Sequence, residues 1–199
     1  MAIAQRLKAF LDDAKVKYTT AKHQVVYTAQ EIAAAQHVPG RQLAKCVLVK
    51  TDRGPVLAVL PAIHRVDLKR LKALLGAKTL TIANEADIRA QFPDVEVGAM
   101  SPFGNLYGVP VAVDRELGES EMIVFNAGTH ADTVSLRYAE FASLAKPTVG
   151  AFGQHVSGRA GGKRPAAGRP RKKAARRAVT RGRKAARRKT STRPRPRHR

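Results

Sequence analysis

The 199-residue chain has one cysteine, no tryptophan and only ten Phe and Tyr residues. The single cysteine, Cys46, excludes an internal disulfide framework and a cysteine-rich zinc site. No apolar run approaches the roughly 18 residues that are needed to cross a bilayer. Residues 1–13 also lack the unbroken apolar stretch of a secretion signal. These absences predict a soluble protein in a reducing, cytoplasmic setting.

Acidic residues are absent from residues 157–199, which carry 19 of the 37 Lys and Arg residues. The first 156 residues hold the other 18 basic residues and all 15 acidic residues, so most of the net charge of +22 lies in this basic tail. All ten aromatic residues precede the tail, which therefore has nothing large to bury against the entropy cost of ordering. The sequence predicts a globular domain, residues 1–156, and a disordered tail, residues 157–199.

Helix and strand patterns mix along the predicted domain without a strict βαβ alternation. Apolar periodicity and capping signals predict helices over residues 2–15, 28–37, 68–75, 85–92 and 138–145. Apolar runs between turn signals predict strands over residues 18–23, 43–50, 55–61, 79–82, 109–113, 122–125 and 133–136. This order favours a mixed α/β (α+β) domain around a twisted sheet over a doubly wound parallel fold.

Lys45 is the one charge within the apolar run Leu43-Ala-Lys-Cys-Val-Leu-Val. Strand alternation places Lys45 on the face of Val47 and Val49, whereas Cys46 faces the other way and is expected to fill the core. A lysine on a buried face is costly unless it lines a cleft or meets an anion. The alternative is a lysine at the strand entry whose ammonium reaches solvent, and the spacing alone favours that alternative.

Two loops carry further candidate residues. Gly98-Ala-Met-Ser-Pro102-Phe-Gly104 suits a rigid loop whose backbone N–H groups approach a phosphate or an oxyanion, although a plain structural turn fits as well. Asn126-Ala-Gly128-Thr129-His130 joins two predicted strands, and a histidine in such a loop is usually only solvated. No HExxH motif or paired Cys/His spacing accompanies it, so the sequence indicates no metal site.

The basic tail has low-complexity order. Lys173-Ala-Ala-Arg-Arg177 recurs as Lys184-Ala-Ala-Arg-Arg188, and Gly168-Arg-Pro-Arg-Lys172 resembles an AT-hook, whose arginines enter the minor groove of A·T-rich DNA. Sequence-independent binding to phosphates is the favoured alternative, and a membrane surface is disfavoured because the tail has no apolar anchor. The candidate nucleic-acid-binding residues are Arg169, Arg171, Lys172, Lys173, Arg176, Arg177, Arg187 and Arg188.

Taken in order, these pieces resemble the YbaK/prolyl-tRNA synthetase-associated domain family, the free-standing aminoacyl-tRNA deacylases. The resemblance covers residues 2–147 and depends on the order and spacing of motifs that are generic one by one. The motifs are Tyr27-Thr-Ala-Gln-Glu, Ala44-Lys-Cys-Val-Leu-Val, Val59-Leu-Pro-Ala, Val66-Asp-Leu, Gly98-xxx-Pro102-x-Gly104 and Phe125-Asn-Ala-Gly-Thr-His.

The resemblance implies a mixed fold with a mostly antiparallel, barrel-like sheet. It implies hydrolysis of the ester that joins a wrong, small amino acid to tRNA, often the tRNA for proline, with no metal or organic cofactor. Lys45 is then the residue most associated with activity, and the two loops line the aminoacyl pocket. The implied catalytic residues are Lys45, Gly98, Gly104 and His130, and the implied substrate-binding residues are Tyr27, Ser101, Pro102, Gly128 and Thr129.

The implied partner is the aminoacylated 3′ end of tRNA, with prolyl-tRNA synthetase or the ribosome as further partners of a small monomer. Cys46 stands where the alanine-editing branch of the family often has Asn, which leaves the amino acid open. The alternative function is a non-catalytic nucleic-acid-binding protein, in which the domain is a scaffold and the AT-hook-like tail binds DNA or RNA.

Overall fold

The structure is a computed structural model that describes residues 4–25, 31–33 and 38–155, all within one unit, Met1–Gly158. The predicted tail lies outside the described residues, and so does most of the predicted helix over residues 28–37, of which residues 31–33 are helical. Within the described residues, every helix is too short or too polar to span a bilayer.

Besides the helical residues 31–33, the described part of the chain contains four α-helices. They are α1 (Gln5–Asp13), α2 (Leu68–Leu75), α3 (Glu85–Gln91) and α4 (Tyr138–Ala145). The Asp67 carboxylate accepts two backbone N–H bonds at the start of α2, and Gly76 ends that helix in the left-handed conformation. A capping box between Asn84 and Asp87 begins α3.

The largest sheet has five strands in the order β5-β2-β3-β6-β9. Strand β2 pairs antiparallel with β3 and β5, whereas β3–β6 and β6–β9 are parallel pairs. These strands are β2 (Ala44–Thr51), β3 (Gly54–Pro61), β5 (Leu80–Ile82), β6 (Val111–Asp114) and β9 (Thr148–Gly150).

A second sheet, antiparallel and ordered β1-β8-β7, contains β1 (Tyr18–Lys22), β7 (Met122–Asn126) and β8 (Asp132–Arg137). A parallel bridge between Val124 of β7 and Leu43 joins this sheet to the residue just before β2. A third, two-stranded sheet pairs β4 (His64–Val66) with β10 (Gly153–His155). The predicted mixed, mostly antiparallel α+β fold is therefore confirmed.

Strand alternation sorts the side chains of β2 between two apolar clusters. Leu48 lies in the main core with Phe103, and Cys46 packs against that core. Val49 lies in a second cluster with Leu71 of α2, and Val47 packs against it. The predicted opposite facing of neighbouring β2 residues is confirmed, and it places Lys45 on the side of the second cluster.

Several short elements escape prediction. Strands β4, β9 and β10 have three residues each, and each is defined by a partner distant in sequence. Two short 3-10 helices, Gly104–Tyr107 and Arg115–Glu119, flank β6. Helix α1 begins and ends inside the predicted range of residues 2–15.

Candidate functional site

Lys45 lies near the start of β2, half-buried, and its ammonium reaches past the end of β3. There it donates hydrogen bonds to the carbonyl oxygens of Ala62, at 3.3 Å, and His64. Among the described residues no carboxylate lies within ion-pair distance of this ammonium. Burial, and to a smaller extent the charge of Arg65, lower the pKa of Lys45 from its ordinary 10.5. Lys45 is thus a cation held by carbonyl dipoles and available to an incoming anion or carbonyl oxygen.

A small cavity of about 40 Å³ opens beside Lys45. Its floor and walls come from the start of β2, the end of β7 and the loop after α3. The lining residues are Ile32, Leu43, Ala44, Lys45, Cys46, Gly98, Met100 and Asn126. The structure therefore brings the predicted residues Lys45 and Gly98 together in the lining of one cavity.

Asn126 adds a polar group to this cavity that the sequence analysis did not single out. Its side-chain oxygen is buried and has no hydrogen-bond partner among the described residues. A buried acceptor without a partner is costly, so it marks a place where a donor from a ligand gains a hydrogen bond. The signal available in the sequence was its place one residue after Phe125, at the end of the strand that leads to the Gly128 loop.

Burial raises the pKa of the Cys46 thiol well above its ordinary value. Such a thiol stays protonated at neutral pH and is a poor nucleophile, since the thiolate is the reactive form. The expectation that Cys46 fills space agrees with this, because it packs against the main core while it lines the cavity.

Gly98 and His130 lie on two loops, one after α3 and one between β7 and β8, that are joined by hydrogen bonds. The two loops exchange backbone hydrogen bonds, Glu96 N–H to Gly128 O and Gly128 N–H to Ala99 O, at 2.9 and 3.1 Å. The His130 backbone N–H donates to the Glu96 carboxylate at 2.8 Å, and its ring Nε2 forms a 2.9 Å hydrogen bond with the Val97 carbonyl. His130 thereby holds the loop whose next residue, Gly98, lines the Lys45 cavity.

Gly98 has a φ of +91°, and a Cβ there would lie 3.4 Å from the His130 ring. The space is sufficient, but the left-handed backbone favours glycine. His130 itself lines a separate, wider cleft of about 350 Å³ together with Arg89, Glu96 and Thr129. Among the described residues, His130 is in the lining of this cleft and not in that of the small cavity.

Gly128 and Thr129 make contacts within the protein that stabilise the turn between β7 and β8. Gly128 has a φ of +102°, and a Cβ there would meet the Cβ of Ala4 at 2.9 Å. The Thr129 hydroxyl donates to the Asp132 carboxylate at 2.8 Å and accepts from the Asp132 backbone N–H at 3.1 Å. These contacts show how Gly128 and Thr129 fix the turn that carries His130.

Three other predicted residues lie deeper in the fold. Gly104 is buried, and a Cβ there would meet the Val109 carbonyl oxygen at 2.7 Å, so close packing requires glycine. Ser101 and Pro102 are buried next to it in the chain. Among the described residues, the small cavity and the His130 cleft are lined without Ser101, Pro102 or Gly104. Tyr27 and the eight basic residues assigned in the tail lie outside the described residues.

Comparison with known proteins bears on this geometry. A sequence model described as the aminoacyl-tRNA editing domain matches residues 23–144, which include Lys45, Gly98 and Asn126. The prolyl-tRNA editing protein ProX of Acetoanaerobium sticklandii is 27% identical over 158 residues, covering 76% of this chain and 96% of the relative. The multifunctional Ser/Thr-tRNA deacylase ProXp-y of Escherichia coli K12 is 26% identical over 148 residues, covering 72% and 88%.

Solved structures share the fold. One, described as a candidate trans-editing enzyme for prolyl-tRNA synthetase, superposes with a TM-score of 0.68 over 77% of this chain and 98% of its own. Its sequence identity of 20% makes this a likeness of fold alone.

Proposed function

The chain belongs to the aminoacyl-tRNA editing domain family, and from that premise we propose that it hydrolyses the ester of a mischarged tRNA carrying a small amino acid. Water adds to the ester carbonyl, the bond to the terminal ribose oxygen breaks, and free amino acid and uncharged tRNA leave. The observation that carries the proposal is the small cavity whose lining includes Lys45, Gly98 and Asn126.

Lys45 is assigned the role of a fixed positive charge. Its ammonium is held by two carbonyl oxygens and has lost part of its hydration, so an anionic or partly anionic oxygen in the cavity gains strongly from it. During ester hydrolysis negative charge develops on the carbonyl oxygen. Lys45 would stabilise that oxygen or the terminal phosphate, and the Gly98 backbone N–H is the second donor that we assign.

Asn126 is assigned to recognition of the aminoacyl group. The α-ammonium of an amino acid is a strong donor, and the buried Asn126 oxygen is an acceptor without a hydrogen-bond partner among the described residues. Together, Lys45 and Asn126 present one donor and one acceptor, which is the complement of a carbonyl next to an ammonium. This arrangement favours an α-aminoacyl ester over a simple carboxylic ester.

The size of the cavity restricts the amino acid. A cavity needs roughly 10–15 Å³ to hold one water, so a volume of about 40 Å³ has room for only a small group. Ile32 and Met100 close the apolar side, which favours a methyl or hydroxymethyl side chain over a larger one. We therefore propose alanine or serine esters as substrates and, because relatives are named for prolyl-tRNA editing, tRNA for proline as the first carrier to test.

The nucleophile is assigned to water, with a ribose hydroxyl of the tRNA as the group that assists its attack. Cys46 is held protonated by burial, and His130 is engaged with the Val97 carbonyl on the other side of the loop. The cleft beside His130 is wide enough to receive a nucleotide near the 3′ end, with Arg89 on its rim. We propose that the basic tail adds affinity for tRNA in the cytoplasm by counterion release.

The test is a panel of tRNAs for proline, alanine and serine, each charged with correct and incorrect amino acids. We expect the full-length protein to hydrolyse Ala- or Ser-charged tRNA for proline and to spare Pro-charged tRNA. Lys45→Ala is expected to lose this activity, whereas Lys50→Ala, on the same strand but paired with Asp87 at 2.6 Å, keeps it. Failure to release any amino acid from the panel would overturn the proposal.

A further inference from the structure

The residue whose carbonyl oxygen accepts a hydrogen bond from Lys45 is His64. Its buried imidazole lies close to two carboxylates. His64 begins β4, Asp114 ends β6 and Glu116 lies in the 3-10 helix that follows. One ligand atom from each of the three side chains lies within 4.8 Å of the other two. None of these residues lines the small cavity, so this cluster is separate from the site already described.

His64 is fully buried, yet neither of its ring nitrogens has a hydrogen-bond partner among the described residues. Its Nε2 lies 3.1 Å from Oε2 of Glu116, but not in a hydrogen-bonding direction. A buried imidazole without partners is costly in a folded chain. A separation of about 3.1 Å is also close to that of two atoms bound to one ion at metal–ligand distances of about 2.0–2.2 Å.

Three backbone N–H groups orient the Asp114 side chain. One carboxylate oxygen accepts backbone N–H bonds from Phe152 at 2.7 Å and Gly153 at 2.6 Å, and the other accepts from Glu116 at 3.1 Å. Gly153 permits this approach, because a Cβ there would lie 2.7 Å from His64 Nδ1 and 3.1 Å from the Asp114 carboxyl carbon. The oxygen with one hydrogen bond retains a lone pair for a ligand bond.

We propose that His64, Asp114 and Glu116 bind a divalent transition-metal ion, with Zn²⁺ the best match. One imidazole and two carboxylates are a donor set suited to zinc, whereas magnesium prefers oxygen ligands alone. A fourth position is open to water or to His155, whose ring lies beside that of His64 with centroids 4.8 Å apart. Glu116 is about half exposed and provides the entry path from solvent.

A bound ion would link β4 to β6 next to the backbone carbonyl that holds Lys45. The carbonyl oxygen of His64 accepts a hydrogen bond from the Lys45 ammonium, and Asp114 anchors the start of β10 through Phe152 and Gly153. Binding at the His64 ring therefore fixes the strand that positions Lys45. The site depends on β4, β6, β10 and the 3-10 helix Arg115–Glu119, and it stands whether or not the chain hydrolyses aminoacyl-tRNA.

The experiment is calorimetric titration of the full-length, metal-free protein with Zn²⁺ alone and, separately, with Mg²⁺ alone. We expect one zinc site that Glu116→Gln weakens by at least about tenfold. Glu119→Gln, an exposed carboxylate of the same 3-10 helix, is the matched control and leaves the affinity unchanged. Mg²⁺ is expected to give no comparable binding.

A thermal melt supplies the second readout. Zn²⁺ is expected to raise the melting temperature of the wild type and of Glu119→Gln, because a ligand of the folded state stabilises it, and to leave Glu116→Gln nearly unchanged. Equal zinc affinity in the wild type and Glu116→Gln would overturn the proposal, since the ion would then bind elsewhere. Absence of zinc binding in the wild type would overturn it as well and would leave His64 and Glu116 as an ordinary side-chain pair.

Discussion

At the scale of single residues, Lys45 combines burial with the lack of a carboxylate partner among the described residues. Strand alternation in the sequence places it on the face of Val47 and Val49, but alternation cannot show that its ammonium reaches the carbonyls of Ala62 and His64. Those acceptors lie beyond the end of β3 and depend on the register of β2 against β3. For the same reason the free oxygen of Asn126 could not be predicted, since its surroundings come from distant segments.

The charge state of Lys45 gives a prediction about pH. The proposed role needs the ammonium, and burial and Arg65 both lower its pKa below 10.5. Deacylation, corrected for spontaneous ester hydrolysis, is therefore expected to fall as pH rises through a midpoint below 10.5. Arg65→Gln removes a like charge, which favours the ammonium, so it moves the midpoint to higher pH.

Arg70→Gln is the control for that measurement, because Arg70 is an exposed residue of α2 that pairs with Asp67 instead. Its pH–rate profile is expected to match the wild type. A midpoint that stays in place or moves to lower pH in Arg65→Gln would contradict the assigned charge of Lys45.

At the scale of elements, the sequence predicts the helix ends that are determined by capping residues close to them in the chain. The Asp67 and Asn84 caps and the Gly76 stop place α2 and α3 to within a residue or so. Strands β4, β9 and β10 exist because other strands pair with them, and three residues carry too little pattern to show it. The sequence predicts the Gly98–Pro102–Gly104 motif as one loop around the substrate, yet among the described residues of this segment Gly98 and Met100 line the small cavity and Pro102 and Gly104 do not.

Gly98 and Gly76 offer a matched pair of substitutions for the role of that loop. Both have positive φ, +91° and +58°, so Gly98→Ala and Gly76→Ala are each expected to destabilise the fold by about 1–2 kcal/mol. At a temperature at which both variants are folded, only Gly98→Ala should also reduce the rate of deacylation, because it shifts a wall of the small cavity. The measurement is denaturant unfolding alongside initial rates.

Equal activity losses in the two variants would contradict the element-scale account, because Gly76 ends α2 and lies outside the lining of the small cavity. An unaffected rate in Gly98→Ala would contradict the assignment of its backbone N–H and loop to the reacting ester.

At the scale of the whole molecule, the net charge of +22 divides unevenly. The first 156 residues carry 18 basic and 15 acidic residues, whereas residues 157–199 carry 19 basic residues and no acid. A near-neutral domain has little long-range attraction for tRNA, so the account assigns affinity to the tail and chemistry to the domain.

Truncation to residues 1–156 tests this division. We expect the rate at saturating mischarged tRNA to remain, KM to rise, and the dependence of KM on salt to weaken, because fewer counterions are released on binding. The same truncation is compared for binding to A·T-rich and G·C-rich DNA. A preference for A·T-rich DNA in the full chain, without any deacylation, would favour the non-catalytic DNA-binding alternative.

The central claim is that the Lys45 ammonium, in its small cavity, drives hydrolysis of an aminoacyl-tRNA ester. Its most direct test is the single-turnover rate on Ala-charged tRNA for proline with Lys45→Met, which keeps an unbranched apolar stem and removes the charge. We expect a loss of at least about a hundredfold in Lys45→Met and an unchanged rate in Lys50→Met. A Lys45→Met rate equal to that of the wild type would contradict it.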